Sequence, residues 1–145
     1  MEAFPHHYRV TAIADPDENV VLKSDDMPQL ISAPPAEFGG PGNHWSPEHL
    51  LVASVADSFI LTFRAIAHAS KLAWDDIDVR AEGVLDRVDK VTRFTAFTVQ
   101  ATLTIPADVD AAKAERLLEK AEAACLITNS MNTEATLETA IITAS

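Results

Sequence analysis

The chain is poor in cysteine and in positive charge. Its one cysteine, Cys125, excludes a disulfide within the chain and any CxxC or zinc-knuckle motif. A lone thiol fits a reducing compartment. Eleven Lys and Arg stand against 22 Asp and Glu, for a formal net charge of −11. Such a chain repels phosphate backbones and anionic lipid at long range, so neither a nucleic-acid partner nor a membrane surface is expected. The opening MEAFPHHYRV lacks the basic cluster and apolar run of a secretory signal. The most apolar stretch, 50–69, is interrupted by Asp57, Arg64 and His68, which are costly in lipid. It reads as a core helix of a soluble, cytoplasmic protein. There is no internal repeat and no low-complexity tract. What is present, 145 residues with 48% apolar side chains, suffices to bury the core of one domain spanning 1–145.

The first third reads as short strands. Tyr8 to Ala14 leans to β, ADPDEN at 14–19 is a turn, and Val20 to Lys23 and Gln29 to Ser32 are two further strands. APPAEFGGPGNHW at 33–45 concentrates Pro and Gly and can be neither helix nor central strand, so it is a shaped loop. Ser46 caps a helix that begins at Pro47 and runs to about Ser70, with Glu48 in the dipole-positive first turn. This helix is apolar almost all round and is expected to be buried on most sides. Ile77 to Leu85 and Phe97 to Ile105 alternate with period two, and VDKV at 88–91 makes a tight hairpin turn. A second helix is expected from near Asp108, with Ala114, Leu117, Leu118, Ala121 and Cys125 on one face; CLITNSM at 125–131 ends it, and Ala135 to Thr143 is a last strand. The order β-β-β-α-β-β-α-β argues for an α+β fold with a mainly antiparallel sheet. One sheet cannot cover a helix apolar on nearly every side, so a homodimer with the central helices near its two-fold axis is expected.

Few residues suggest chemistry by type alone. Ser58, inside the apolar helix, has no GxSxG elbow and no evident His–Asp partner, so a serine-nucleophile enzyme is a poor reading. Asp57 beside it must reach solvent or a partner. A lone cysteine on an apolar helix face is by itself core material. His6, His7, His44 and His49 form no HxxxH or HExxH pattern, and no metal is expected. Gly39, Gly40 and Gly42 shape a turn rather than a phosphate cradle, and Phe38 and Trp45 either line an apolar wall or anchor the loop.

Three stretches together resemble the OsmC/Ohr family of organic-hydroperoxide reductases: PPAEFGGPGNHWSPEHLLVASVADSF at 34–59, GVLDRVDKVTRFTAFTVQATLTIP at 83–106 and LLEKAEAACLITNS at 117–130. The resemblance implies an intertwined α+β homodimer with two sites at its interface. It implies reduction of organic and inorganic hydroperoxides by a pair of cysteines, with a dithiol as reductant and no metal or prosthetic group. It places Ser58 at the peroxidatic position, ten residues after Glu48, and Cys125 at the resolving position. The family motif has Cys-Phe where this chain has Ser58-Phe59. A thiol near pKa ~8.5 can be brought toward neutrality, whereas an alcohol cannot, and only sulfur climbs the sulfenic ladder. The chain as written is therefore expected to lack turnover. An engineered Cys→Ser and a natural loss of the sulfur both produce this sequence. Ohr-type members also carry an arginine in the early turn that pairs with the glutamate. Here that turn holds none, and neither Arg9 nor Lys23 matches the motif. Two functions follow: a peroxidase of the OsmC type lacking its attacking sulfur, or a non-catalytic dimer that binds a small apolar ligand.

Overall fold

The computed structural model describes residues 1–144. The chain forms two compact units, Met1–Leu50 and the remainder from Leu51 onward.

In the first unit, β1 (Thr11–Ile13), β2 (Val20–Lys23) and β3 (Leu30–Ser32) form an antiparallel sheet in sequence order. β1 is shorter than the run from Tyr8 to Ala14 suggests, and none of its three residues is buried. The Pro- and Gly-rich segment is a shaped loop with a single 3-10 turn at Ala36–Phe38. Pro35 O accepts from both Phe38 N and Gly40 N, at 2.9 and 3.0 Å. A Cβ on Gly40 would stand 1.7 Å from Pro34 O, so no other residue fits this fold of the loop. The loop returns to β3 through Ala33 N, which donates to Trp45 O at 2.9 Å. The helix then starts as its cap demands: buried Ser46 accepts on Oγ from His49 N at 3.1 Å.

That helix, α1 (Pro47–Ala69), crosses into the second unit. Its length and apolarity are those of a membrane span. However, Val55, Phe59, Phe63 and Ala67 form a fully buried stripe at i, i+4 spacing within one core, as in a core helix. Burial is narrower than the sequence suggests. Leu61 on the opposite face remains 51% exposed, because one sheet offers one face, and Leu51, one turn before Val55 at the end of the stripe, remains 38% exposed.

β4 (Asp76–Val88) and β5 (Val91–Ile105) form a long antiparallel hairpin. Its turn residues Asp89 and Lys90 both have positive φ, as a two-residue hairpin turn with native twist requires. Phe97, Val99, Ala101, Leu103 and Ile105 are all buried, as their alternation anticipates. After β5, Asp110 caps α2 (Ala111–Ala124) by accepting from Ala112 N at 3.0 Å. This start is three residues later than Asp108. β6 (Ala135–Thr143) then pairs with β5 in parallel, so the strand pairing is mainly antiparallel, as expected, with this parallel exception. The helix between β5 and β6 carries the chain back along the sheet, so the returning strand runs in the same direction. α1 and α2 share one core with the inner face of this mixed sheet. Two bonds fasten α2: Lys113 Nζ donates to Ser70 O at 2.9 Å, and Thr139 Oγ1 of β6 donates to the Glu115 carboxylate at 2.6 and 2.8 Å.

Candidate functional site

The core of the second unit brings a middle turn of α1 against the end of α2. Ala114, Leu117, Leu118 and Ala121 bury one face of α2, and the same face carries on to Cys125. Cys125 is not inside the helix. Its backbone is extended (φ −64°, ψ 112°), it closes α2, and it is also the N-cap of a short helix α3 (Leu126–Asn129). Its backbone is held on both sides: N donates to Glu122 O at 3.3 Å, and O accepts from Asn129 N at 3.0 Å and Thr128 Oγ1 at 3.2 Å. The thiol is therefore fixed at a helix break, with no exposure to solvent.

The Cys125 thiol donates to Ser58 Oγ at 3.4 Å. Ser58, half-buried on α1, lies next to Phe59, which anchors that turn in the core. Two residues 67 positions apart in sequence are thus in side-chain contact. Among the expected site residues, the structure brings these two together.

Glu48 lies in the other compact unit, on the first turn of α1. Its Oε1 is buried without a hydrogen-bond partner. A buried carboxylate oxygen left unpaired is uncommon and calls for an explanation. Asp57 is exposed and so escapes the penalty of burial. Among the described residues, no three His, Cys, Asp or Glu side chains gather as metal ligands.

Two features near the pair do not emerge from the sequence reading. The first is Glu122, one turn before Cys125. Its Oε2 is buried without a partner, and desolvation raises its pKa above the ordinary carboxylate value. The second is a groove of about 580 Å³ lined by Leu51, Phe94, Phe97 and Met131, with Arg93 and Asn129 among its polar groups. It exists because the β4–β5 register slips between Val84 and Leu85, leaving Thr95 without an opposite residue. The bulge turns Phe94 onto the same side as Phe97, and the two rings stack with centroids 5.2 Å apart. The signal was there to read: two phenylalanines three apart, in Phe-Thr-Ala-Phe at 94–97, cannot share a face of an unbroken strand.

A two-layer α+β unit with a central helix, and a thiol from the residue that closes the second helix set against it, defines a class of fold. The sequence model of the family described as OsmC-like protein matches residues 40–140, and the chain belongs to that family. The chain is 27% identical over 143 residues to the uncharacterized protein YmaD of Bacillus subtilis, covering 94% of this chain and 95% of YmaD. An OsmC-like protein of unknown function from Vibrio cholerae superposes with a TM-score of 0.85 at 16% identity, covering 93% of this chain and 99% of that one. An organic hydroperoxide resistance protein OsmC from Legionella pneumophila superposes with a TM-score of 0.76 at 22% identity, covering 97% and 99%. At these identities the two structural likenesses are likenesses of fold.

Proposed function

We propose that positions 58 and 125 form the redox pair of an OsmC-type thiol peroxidase, and that Ser58 holds the chain as given in an inactive form. The observation that carries this reading is the 3.4 Å contact between Ser58 Oγ and Cys125 Sγ. A disulfide needs its sulfurs about 2.05 Å apart, so sulfur in place of the serine oxygen would have to close only roughly 1.4 Å. Family membership and the hydroperoxide resistance protein among the structural relatives support the same chemistry.

With sulfur at position 58 the cycle balances as follows. A thiolate there attacks the outer peroxide oxygen, the O–O bond breaks, and the alcohol leaves after taking a proton. The resulting sulfenic acid is attacked by the Cys125 sulfur, the S–S bond forms, and water departs with the sulfenic oxygen. An external dithiol reduces the disulfide by exchange and becomes a disulfide itself. No metal or prosthetic group takes part. Ser58 cannot perform the first step, because its oxygen is neither a thiolate nor oxidisable in this way.

Glu48 is assigned to the site through its matched spacing. Its unpartnered Oε1 is consistent with the absence of an arginine from 14–20, since the family's arginine pairs with this glutamate. The two compact units belong to one domain in this reading, because the family match spans the boundary between them. The working form is a homodimer in the reducing cytoplasm, where a lone thiol persists. The alternative is a non-catalytic dimer that keeps the pocket for a small apolar ligand, and Ser58 itself favours it.

Peroxide consumption with dithiothreitol separates the two. The chain as given is expected to stay at background with hydrogen peroxide, cumene hydroperoxide and tert-butyl hydroperoxide. Ser58→Cys is expected to gain turnover and, under oxidation, to lose both free thiols to a bond with Cys125. An inactive Ser58→Cys variant would hand the case to the binding reading.

A further inference from the structure

We propose that the groove beside the pair selects hydroperoxides whose far end carries an anion, with Arg93 as the specificity-determining residue. The inference rests on the peroxidase reading of positions 58 and 125 and names a substrate class for it.

The groove's position ties it to the pair from two directions. Leu51 precedes Ser58 by seven residues on α1, which puts it on the same side of the helix about 10 Å along the axis. Asn129 follows Cys125 by one turn and is bonded to its carbonyl at 3.0 Å. A molecule with its peroxide at position 58 would thus extend its body over a span of about two helical turns. The walls there suit an apolar and preferably flat body, with Phe94 and Phe97 stacked 5.2 Å apart and Met131 beside them. A volume of about 580 Å³ is ordinary for a small-molecule site.

Charge decides the far end. In a chain with 22 acidic residues, none lines this groove, and its one formally charged side chain is Arg93. The neighbouring groove, which shares Asn129, Met131, Asn132 and Thr133, instead includes Glu122 and Glu134. Arg93 is exposed. Among the described residues the one ion pair is Arg80–Asp78, at 3.7 Å, so the Arg93 guanidinium has no acidic partner. Asp86 stands opposite Arg93 in register, but its Oδ1 accepts from Arg87 N at 2.7 Å. A free guanidinium at the edge of an aromatic groove is suited to a carboxylate, which it can hold through two parallel bonds.

Two arms test this. In the first, naphthalene-2-carboxylate and naphthalene-2-carboxamide, alike in shape and different in charge, are titrated calorimetrically into the chain as given. The carboxylate is expected to bind about tenfold more tightly, and added salt should weaken it more than the amide. Arg93→Gln should abolish the difference and leave the amide unchanged. Equal affinities, no binding of either probe, or a preference that survives Arg93→Gln would overturn the inference. The second arm compares cumene hydroperoxide with its para-carboxylate in Ser58→Cys. The carboxylate is expected to have the higher kcat/KM, and adding Arg93→Gln should remove that advantage without slowing tert-butyl hydroperoxide, which is too small to reach Arg93. Turnover of tert-butyl hydroperoxide without a carboxylate preference sinks the inference alone. No turnover of any peroxide sinks the peroxidase reading, and the substrate class with it.

Discussion

Near the thiol, the least comfortable residue is Glu122. Its carboxylate is partly desolvated and its Oε2 has no donor, so its pKa is raised in the folded protein. The folded state then holds the Glu122 proton more tightly than the unfolded chain does. The stabilisation from this group is complete below the unfolded pKa and is lost as pH rises through the folded value. Glu122→Gln keeps the shape and removes the ionisation. Thermal unfolding of the two proteins should show the variant melting higher at pH 8, with the gap shrinking toward pH 4. A gap that stays the same at both values would mean that the charge is not what is penalised. Position 58 shows how sequence and structure divide the work at this scale. The motif around Ser58 marks it out in sequence, whereas nothing local marks Glu122: a glutamate in an amphipathic helix ordinarily faces water, and the burial of its Oε2 shows only in the fold.

At the scale of elements, periodicity did most of what it can do. The inner face of β5, the packed face of α2 and the bounds of β6 all follow from spacing alone. It failed where spacing is interrupted. The end of α2 is marked by CLITNSM, and what spacing missed there is the short helix α3, which Cys125 opens with an extended ψ of 112° and which no proline or glycine announces. The bulge at Thr95 breaks the alternation and turns Phe94 inward, and so builds the groove. The direction of β6 lies in the crossover, not in the strand's own residues. A second consequence of the bulged hairpin is close packing at Gly83. A Cβ there would come within 2.8 Å of Val52 Cγ2 and 2.9 Å of Phe94 Cε1. Neither atom is the end of a flexible chain. Gly83→Ala is therefore expected to cost about 1–3 kcal/mol in denaturant unfolding. It should also tilt Phe94, so that binding of aromatic probes in the groove weakens along with stability. Unchanged stability would show that α1 can back away from β4 without loss.

For the whole molecule, the unresolved demand is apolar surface. Tyr8, Val10, Ile13 and Ile31 are 85%, 70%, 50% and 48% exposed, all in a first unit whose three strands are at most four residues long. A sheet of that size is marginal without an apolar face to cover, and single exposed hydrophobics are ordinary while a group of them is not. On the second unit, Leu61 of α1 and Ile142 of β6 are likewise about half exposed. A second copy of the chain would meet both demands, and closed two-fold symmetry is the commonest way for one chain to do so. If the folded unit is a dimer, unfolding also dissociates it, and stability must depend on concentration. The melting temperature should rise with each tenfold increase in protein, and light scattering should give about twice 15.7 kDa. Ile13→Asp puts a charge on the exposed face of β1, where a folded monomer would tolerate it to within about 0.5 kcal/mol. In a dimer closed through that face the same change buries an unpaired charge, and both the mass and the concentration dependence should collapse. A protein that stays at monomer mass, with a melting temperature indifferent to concentration and to Ile13→Asp, would show that these apolar side chains simply tolerate water.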